Sequence, residues 1–257
     1  MKSFLLILVC AMEVWAQPGI ARPLLGIVRD SRGAVRPVYG VPGNFVVGAS
    51  LWDGAQSAAF SGYSGMIKSA SELVIVDRRG QKVRSWPAPD GPALFGFDNT
   101  GAAALVYFPG PRILWRVGGD SPETIDTTRV DGDVLSLSAG GHHHIRIAVR
   151  RDGALHLLRL SASGDGLSDE VVCDDALAAG FADSEVLAVA TRDGLLTRAA
   201  DGSESLVPLE QPATSIDRMG EGWLLVGQPD GAQPIAWHYA SQQQDLFRVP
   251  ASAETQE

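Results

Sequence analysis

Four aspartates recur along the chain at a nearly constant interval: Asp53, Asp90, Asp131 and Asp174, at separations of 37, 41 and 43 residues. Asp133 and Asp175 are alternates for the last two. If the segments that carry them gather round one axis, the carboxylates form an acidic ring. Convergent carboxylates, together with backbone carbonyls, suit a hard divalent cation such as calcium. Crowded carboxylates also push their pKa values apart, which lets a pair divide acid and base duties in a hydrolytic or lyase site. A purely local account competes with this one. Asp53-Gly54, Asp90-Gly91 and Asp131-Gly132 are pairs that tight turns favour for backbone reasons.

Two further groups carry possible chemistry. Arg112, Arg151 and Arg192, with Arg150 beside them, fall at predicted hairpin tips on the same side as the aspartate turns. The guanidinium fork suits a carboxylate or phosphate, so these arginines are candidate contacts to an anionic ligand or an acidic partner loop. The alternative is that they pair with the interspersed aspartates and keep that face soluble. The triplet His142-His143-His144 follows Gly140-Gly141. On an extended segment His142 and His144 share a face and would bind zinc or copper if a third ligand came from elsewhere; an exposed turn explains them equally well. His156 and His238 show no metal-ligand spacing with them. Nucleophilic catalysis has no support: Ser61-Gly62 and Ser64-Gly65 lie in a polar turn without a G-x-S-x-G elbow. Cys173 sits beside Asp174 and Asp175, whose charge raises a thiol's pKa.

The elements that must position these groups follow the same interval. After each Asp turn, and after Gln211-Pro212 at 37 residues beyond Asp174, comes an apolar strand: SAAFSG (57–62), ALFGFD (93–98), VLSLSA (134–139), ALAAGF (176–181) and TSIDRM (214–219). A short polar turn and a second strand follow. In the third unit, Leu135, Leu137 and Ala139 alternate with Val134, Ser136 and Ser138, then come HIRIAV (144–149), ALHLLRL (154–160) and the charged SDEVV (168–172). Charge on that last strand suits an outer edge. No sustained 3.6-residue apolar period is present, so almost no helix is expected. Phe95, Phe97, Phe181 and Trp223, on or beside inner strands, read as packing between units. A unit of about 40 residues with several strands is the signature of a β-propeller. The units run over 55–91, 92–130, 131–173, 174–210 and 211–250. Upstream, GIVRD-SRG-AVRPV (26–38) and NFVVGAS (44–50) supply a three-stranded sixth blade, or split so that one strand completes the last blade beside LFRV (246–249). The expectation is an all-β propeller of six blades, with five as the alternative.

On strand spacing and Asp-Gly turns the chain resembles the broad group of bacterial propellers that includes YVTN-like and NHL-like repeat proteins, over about residues 24–250. The Gly-His and Trp-Asp pairs of WD repeats do not recur; Gly141-His142 and Trp52-Asp53 occur once each.

The N-terminus reads as a secretory signal. Lys2 precedes the apolar FLLILVCAM, and Val14 and Ala16 suit cleavage between Ala16 and Gln17. That predicts a signal over 1–16, one propeller domain over 17–250 and a disordered tail over 251–257, in an extracytoplasmic protein, periplasmic or secreted. No later segment is long and apolar enough to span a bilayer. With Cys10 gone, Cys173 has no partner for an intrachain disulfide. The net charge of −9, with Arg and Asp interspersed, argues against nucleic acid. The reading is a binding or interaction module for a protein or small molecule at one propeller face. The alternative is a metal-assisted hydrolase or lactonase-like enzyme using the acidic ring at the channel mouth.

Overall fold

The computed structural model describes residues 22–62, 64–140, 144–161, 168–229, 232–240 and 245–250. Their strands form six sheets in chain order. Blade one holds β1 (Leu24–Arg29), β2 (Val35–Val41) and β3 (Asn44–Val47); blade two β4 (Ser57–Phe60), β5 (Ser64–Lys68), β6 (Glu72–Asp77) and β7 (Lys82–Pro87). Blade three holds β8 (Leu94–Phe97), β9 (Ala103–Phe108), β10 (Ile113–Arg116) and β11 (Glu123–Ile125); blade four β12 (Asp133–Ala139), β13 (Ile145–Arg151), β14 (Ala154–Leu160) and β15 (Ser168–Asp174). Blade five holds β16 (Ala178–Phe181), β17 (Leu187–Ala190), β18 (Gly194–Arg198) and β19 (Glu204–Pro208); blade six β20 (Ser215–Gly220), β21 (Trp223–Gly227), β22 (Ile235–His238) and β23 (Leu246–Arg248). The protein is an all-β, six-bladed propeller. No helix among the described residues is long and apolar enough to cross a membrane.

Turns are set by aspartates that bond the backbone just ahead of them. Asp30, Asp77 and Asp98 each accept two such N–H bonds, from Arg32 and Ala34, Arg79 and Gln81, and Thr100 and Ala102. These are Asx turns, in which the side chain substitutes for a missing backbone partner. All neighbouring strands within a blade run antiparallel.

The core lies between blades rather than at one centre, with six apolar clusters for six junctions. Strand alternation produces this. On β17, Leu187 and Val189 pack toward blade four, whereas Ala188 and Ala190 pack toward blade six. Middle strands buried on both faces therefore read as unbroken apolar runs. Three serines of the inner strands tie neighbouring blades together. Ser57 Oγ accepts from Ala93 N, Ser136 Oγ accepts from Phe181 N, and Ser138 Oγ donates to the Phe97 carbonyl.

Blade one departs from the others. Of the two arrangements open in the sequence, it takes the three-stranded one, while β23 is the outer strand of blade six. With an odd strand count, β1 runs opposite to β4, β8, β12, β16 and β20. Its contacts agree: Gly26 lies against the Met219 carbonyl and Gly220 against that of Leu25, while Arg29 Nε donates to the Ala55 carbonyl just before β4. β1 thus corresponds to the second strand of a four-stranded blade, and the described residues supply no innermost one. Strands β20 and β4 touch each other directly as well as β1. Among the described residues, six blades surround an inner ring of five parallel strands.

Candidate functional site

The inner strands enclose a central channel. The upper face is the one where β4, β8, β12, β16 and β20 begin; the lower face is where they end. A cavity of about 210 Å³ fills the channel, walled by Ala58, Leu94, Phe95, Leu135 and Ile216 among others. Its upper rim carries the exposed Pro92, while Phe97, Ser138 and Phe181 toward the lower face are buried. Asp217 and Arg218 are the charged side chains of its wall. A side cavity of about 90 Å³ opens toward blade one, which has no innermost strand among the described residues, and adds Arg29 to Ser57, Asp217 and Arg218.

Alternation along β20 sends these two charges apart. Ile216 packs against Gly180 of blade five and Met219 against Gly26 of blade one, so Arg218 follows Ile216 and Asp217 follows Met219. Arg218 crosses the channel from blade six to blade three, its guanidinium 5.1 Å from the centre of the Phe97 ring. That distance is in the range of a cation–π contact. Its Nε is buried without a hydrogen-bond partner. Among the described residues no carboxylate lies within ion-pair distance of it; Tyr239, Asp183, Glu221 and Asp98 act on it from farther away, against the larger effect of burial. Tyr239 donates to the Ala182 carbonyl at 3.0 Å, and burial, with the charge of Asp183, pushes its phenol up to about 12.

Asp217 is open to channel water, yet protein surrounds the channel on every side. Burial raises its pKa, and a hydrogen bond from Ser215 and the charge of Arg29 only partly offset this. Below the unfolded value of 3.8 the group is protonated in both states and has no effect on stability. As pH rises past that value the unfolded chain releases its proton first, so the folded state is progressively disfavoured until the folded pKa is passed. Asp217→Asn is therefore expected to be more stable than the parent protein at pH 7, by up to about 1 kcal/mol because channel water screens the charge. The gain vanishes as pH falls below the unfolded value. Urea unfolding at pH 7 and pH 3.5 checks it, and a variant less stable at pH 7 contradicts it.

The residues singled out in the sequence lie elsewhere. Asp53, Asp90 and Asp131 are exposed on upper-face turns, and Asp174 is exposed at the upper end of β15. Asp53 accepts from Ser50 Oγ at 2.7 Å, and Asp90 is near enough to the fully buried Lys68 to favour its charged form against burial. Asp131 acts on Arg151, and Asp133 pairs with Arg150 at 3.5 Å. Asp175 holds a left-handed backbone, φ 55°, and donates its N–H to the Gly153 carbonyl. Among the described residues no three His, Cys, Asp or Glu side chains are grouped to share a metal ion. The structure therefore does not bring the four aspartates together.

Of the arginines, Arg112 donates to the Val130 carbonyl at 2.6 Å and Arg151 pairs with Asp169 at 2.7 Å. Asp169 also meets His156 Nδ1 at 2.8 Å, which holds β14 to β15. Arg192 is exposed on its tip. His144 is exposed, while His142 and His143 fall outside the described residues. Burial, more than the neighbouring Asp174, raises the Cys173 thiol. Phe97, Phe181 and Trp223 pack between blades, and Phe95 is half-buried on the channel wall. Sequence reasoning missed Asp217 and Arg218. The signal was present: TSIDRM puts two charges in the middle of an inner strand, whereas SAAF, LFGF and AAGF have none.

No protein-family model matches the chain, and no curated protein matches it in sequence. Solved structures do. A catalytically inactive virginiamycin B lyase from Staphylococcus aureus, bound to quinupristin, aligns with a TM-score of 0.53 and 11% identity over 91% of this chain and 86% of that one. The selenomethionine form of that lyase aligns at 0.52, with 10% identity over 91% and 85%. The Neurospora crassa Pan2 WD40 domain aligns at 0.49, with 8% identity over 91% and 80%. What is shared is the fold.

Proposed function

We propose that this chain is an exported binding module that takes a small ligand into its central channel. One observation carries this reading: an apolar-walled cavity of about 210 Å³ in which two charges stand among small and aromatic side chains. Concave, mostly apolar sites with a few polar groups are what small-molecule recognition uses. The volume is that of roughly seven waters, which fits a compact molecule rather than a macromolecular segment. Catalysis through the acidic ring would need carboxylates that converge, and those on the upper face stay apart on separate turns. Export rests on Lys2, the apolar run after it and the small residues Val14 and Ala16.

Two measurements test the proposal. Secreted or periplasmic protein should have the mass of a chain beginning at Gln17; retention of the first 16 residues on it refutes the cleavage, and protein confined to the cytoplasm refutes the export half. For the binding half, thermal unfolding is followed against a library of compact neutral and charged molecules. A true ligand at 100 times its dissociation constant adds about 2.7 kcal/mol. Leu94→Trp, which fills the channel from its wall, should abolish that gain. A library without effect, or a gain that survives the tryptophan, refutes it.

A further inference from the structure

The chemistry of the ligand can be read from Arg218, on the premise that the channel is a ligand site. We infer that the channel binds a small monocarboxylate with an apolar body, its carboxylate on the guanidinium of Arg218 and its body directed toward the upper face.

The argument begins with what Arg218 lacks. Arginine remains charged in proteins, and a guanidinium withdrawn from bulk water normally has a carboxylate or several carbonyls on its donors. Arg146, the comparable arginine between blades four and five, stacks on Phe181 and donates to the Ser184 carbonyl at 2.7 Å. Arg218 stacks on Phe97 in the same way but has no such acceptor among the described residues. Its donors therefore remain free at the lower end of a cavity that a ligand enters from above.

Charge then selects the head group. A carboxylate takes two parallel N–H bonds from one guanidinium, which neutralises it one for one. A phosphate dianion would bring a second negative charge beside Asp217 and within range of Asp183, Glu221 and Asp98, with Arg29 as the one additional cation of the two cavities. The walls select the body. Above Arg218 the lining is Ala58, Ala93, Leu94, Phe95, Leu135 and Ile216. Such a wall returns about 25 cal/mol for each Å² of apolar ligand surface it covers.

The experiment is calorimetric titration with benzoate, phenylacetate and butyrate, set against benzamide, benzylamine and phenyl phosphate as neutral, cationic and dianionic counterparts. At least one carboxylate should bind, with benzamide and benzylamine tenfold or more weaker. Arg218→Gln should lose 10- to 100-fold in carboxylate affinity, and Arg218→Lys should recover part of it as a point charge. If the glutamine variant does not fold, Leu94→Trp, on the opposite wall, should block carboxylate binding instead. Equal binding of benzamide, tighter binding of phenyl phosphate, or indifference to Arg218→Gln overturns the carboxylate inference and leaves the channel reading in place, whereas binding that survives Leu94→Trp removes the channel reading as well. Silence from all six compounds overturns the inference, and silence from the wider library as well removes the channel reading with it.

Discussion

Trp237→Ala is expected to destabilise the fold by about 3–5 kcal/mol, the range seen when a buried aromatic ring is truncated. Trp237 is fully buried in blade six and belongs to the cluster shared with blade five. Its partners there include Ala178, Ala182, Ala188, Ala190 and Ala213. Methyl groups cannot extend to fill the space left by an indole, and they are anchored on strands whose other face is committed to blade four. The void would therefore persist, which places the cost at the upper end of the range. Trp237→Phe keeps a ring at the same site and so grades the lost volume. The indole Nε1 is buried without a hydrogen-bond partner, so phenylalanine removes an unsatisfied donor while leaving a smaller gap. Urea unfolding of the two variants should show the phenylalanine protein losing less than half of what the alanine protein loses. Equal losses would mean that the ring volume kept by phenylalanine contributes nothing at this position.

Gly26→Val should cost about 3 kcal/mol or more, because the clash involves backbone on both sides. A Cβ at Gly26 would stand 2.3 Å from the Met219 carbonyl oxygen, and neither β1 nor β20 can yield without breaking the junction of blades one and six. Gly54→Ala is the control. An added methyl there meets nothing within 4 Å, and only the left-handed backbone, φ +73°, opposes it, at about 1 kcal/mol. Hydrogen exchange adds a readout of place: in Gly26→Val the amides of β1 should lose protection before those of blades three to five. Uniform loss across the ring would refute the claim that this junction is where the substitution acts.

Much of this architecture was legible in the sequence. SAAFSG, ALFGFD, VLSLSA, ALAAGF and TSIDRM contain β4, β8, β16 and nearly all of β12 and β20. They were readable because turn residues and alternation are local signals. Blade one was legible as three strands but not as a blade without its inner strand, since direction depends on where its edges meet β20 and β4. The arginines illustrate a different limit. Arg112 and Arg151 stand at hairpin tips as read, yet their acceptors, the Val130 carbonyl and Asp169, lie 18 residues away in each case. Aspartates before glycine could be assigned to turns, but whether the turns bring carboxylates within reach of one another depends on ring radius. Asp217 and Arg218 were visible as charges out of place, and only the crossing of the channel to Phe97 gives Arg218 its meaning.

The odd strand count of blade one also gives the molecule a polarity of attachment. Because β1 runs against the inner strands, the chain passes Pro23 and Leu24 on the lower face, where Pro23 accepts from Gly40 N. It reaches Val249 on the upper face, where Val249 N donates to the Pro234 carbonyl. A fourth strand in blade one would have put both ends on one side. As built, a tether fused ahead of Arg22 would hold the propeller by its lower face and leave the channel mouth on the upper face pointing away from whatever it is anchored to. The same tether fused after Pro250 would turn that mouth toward the anchor.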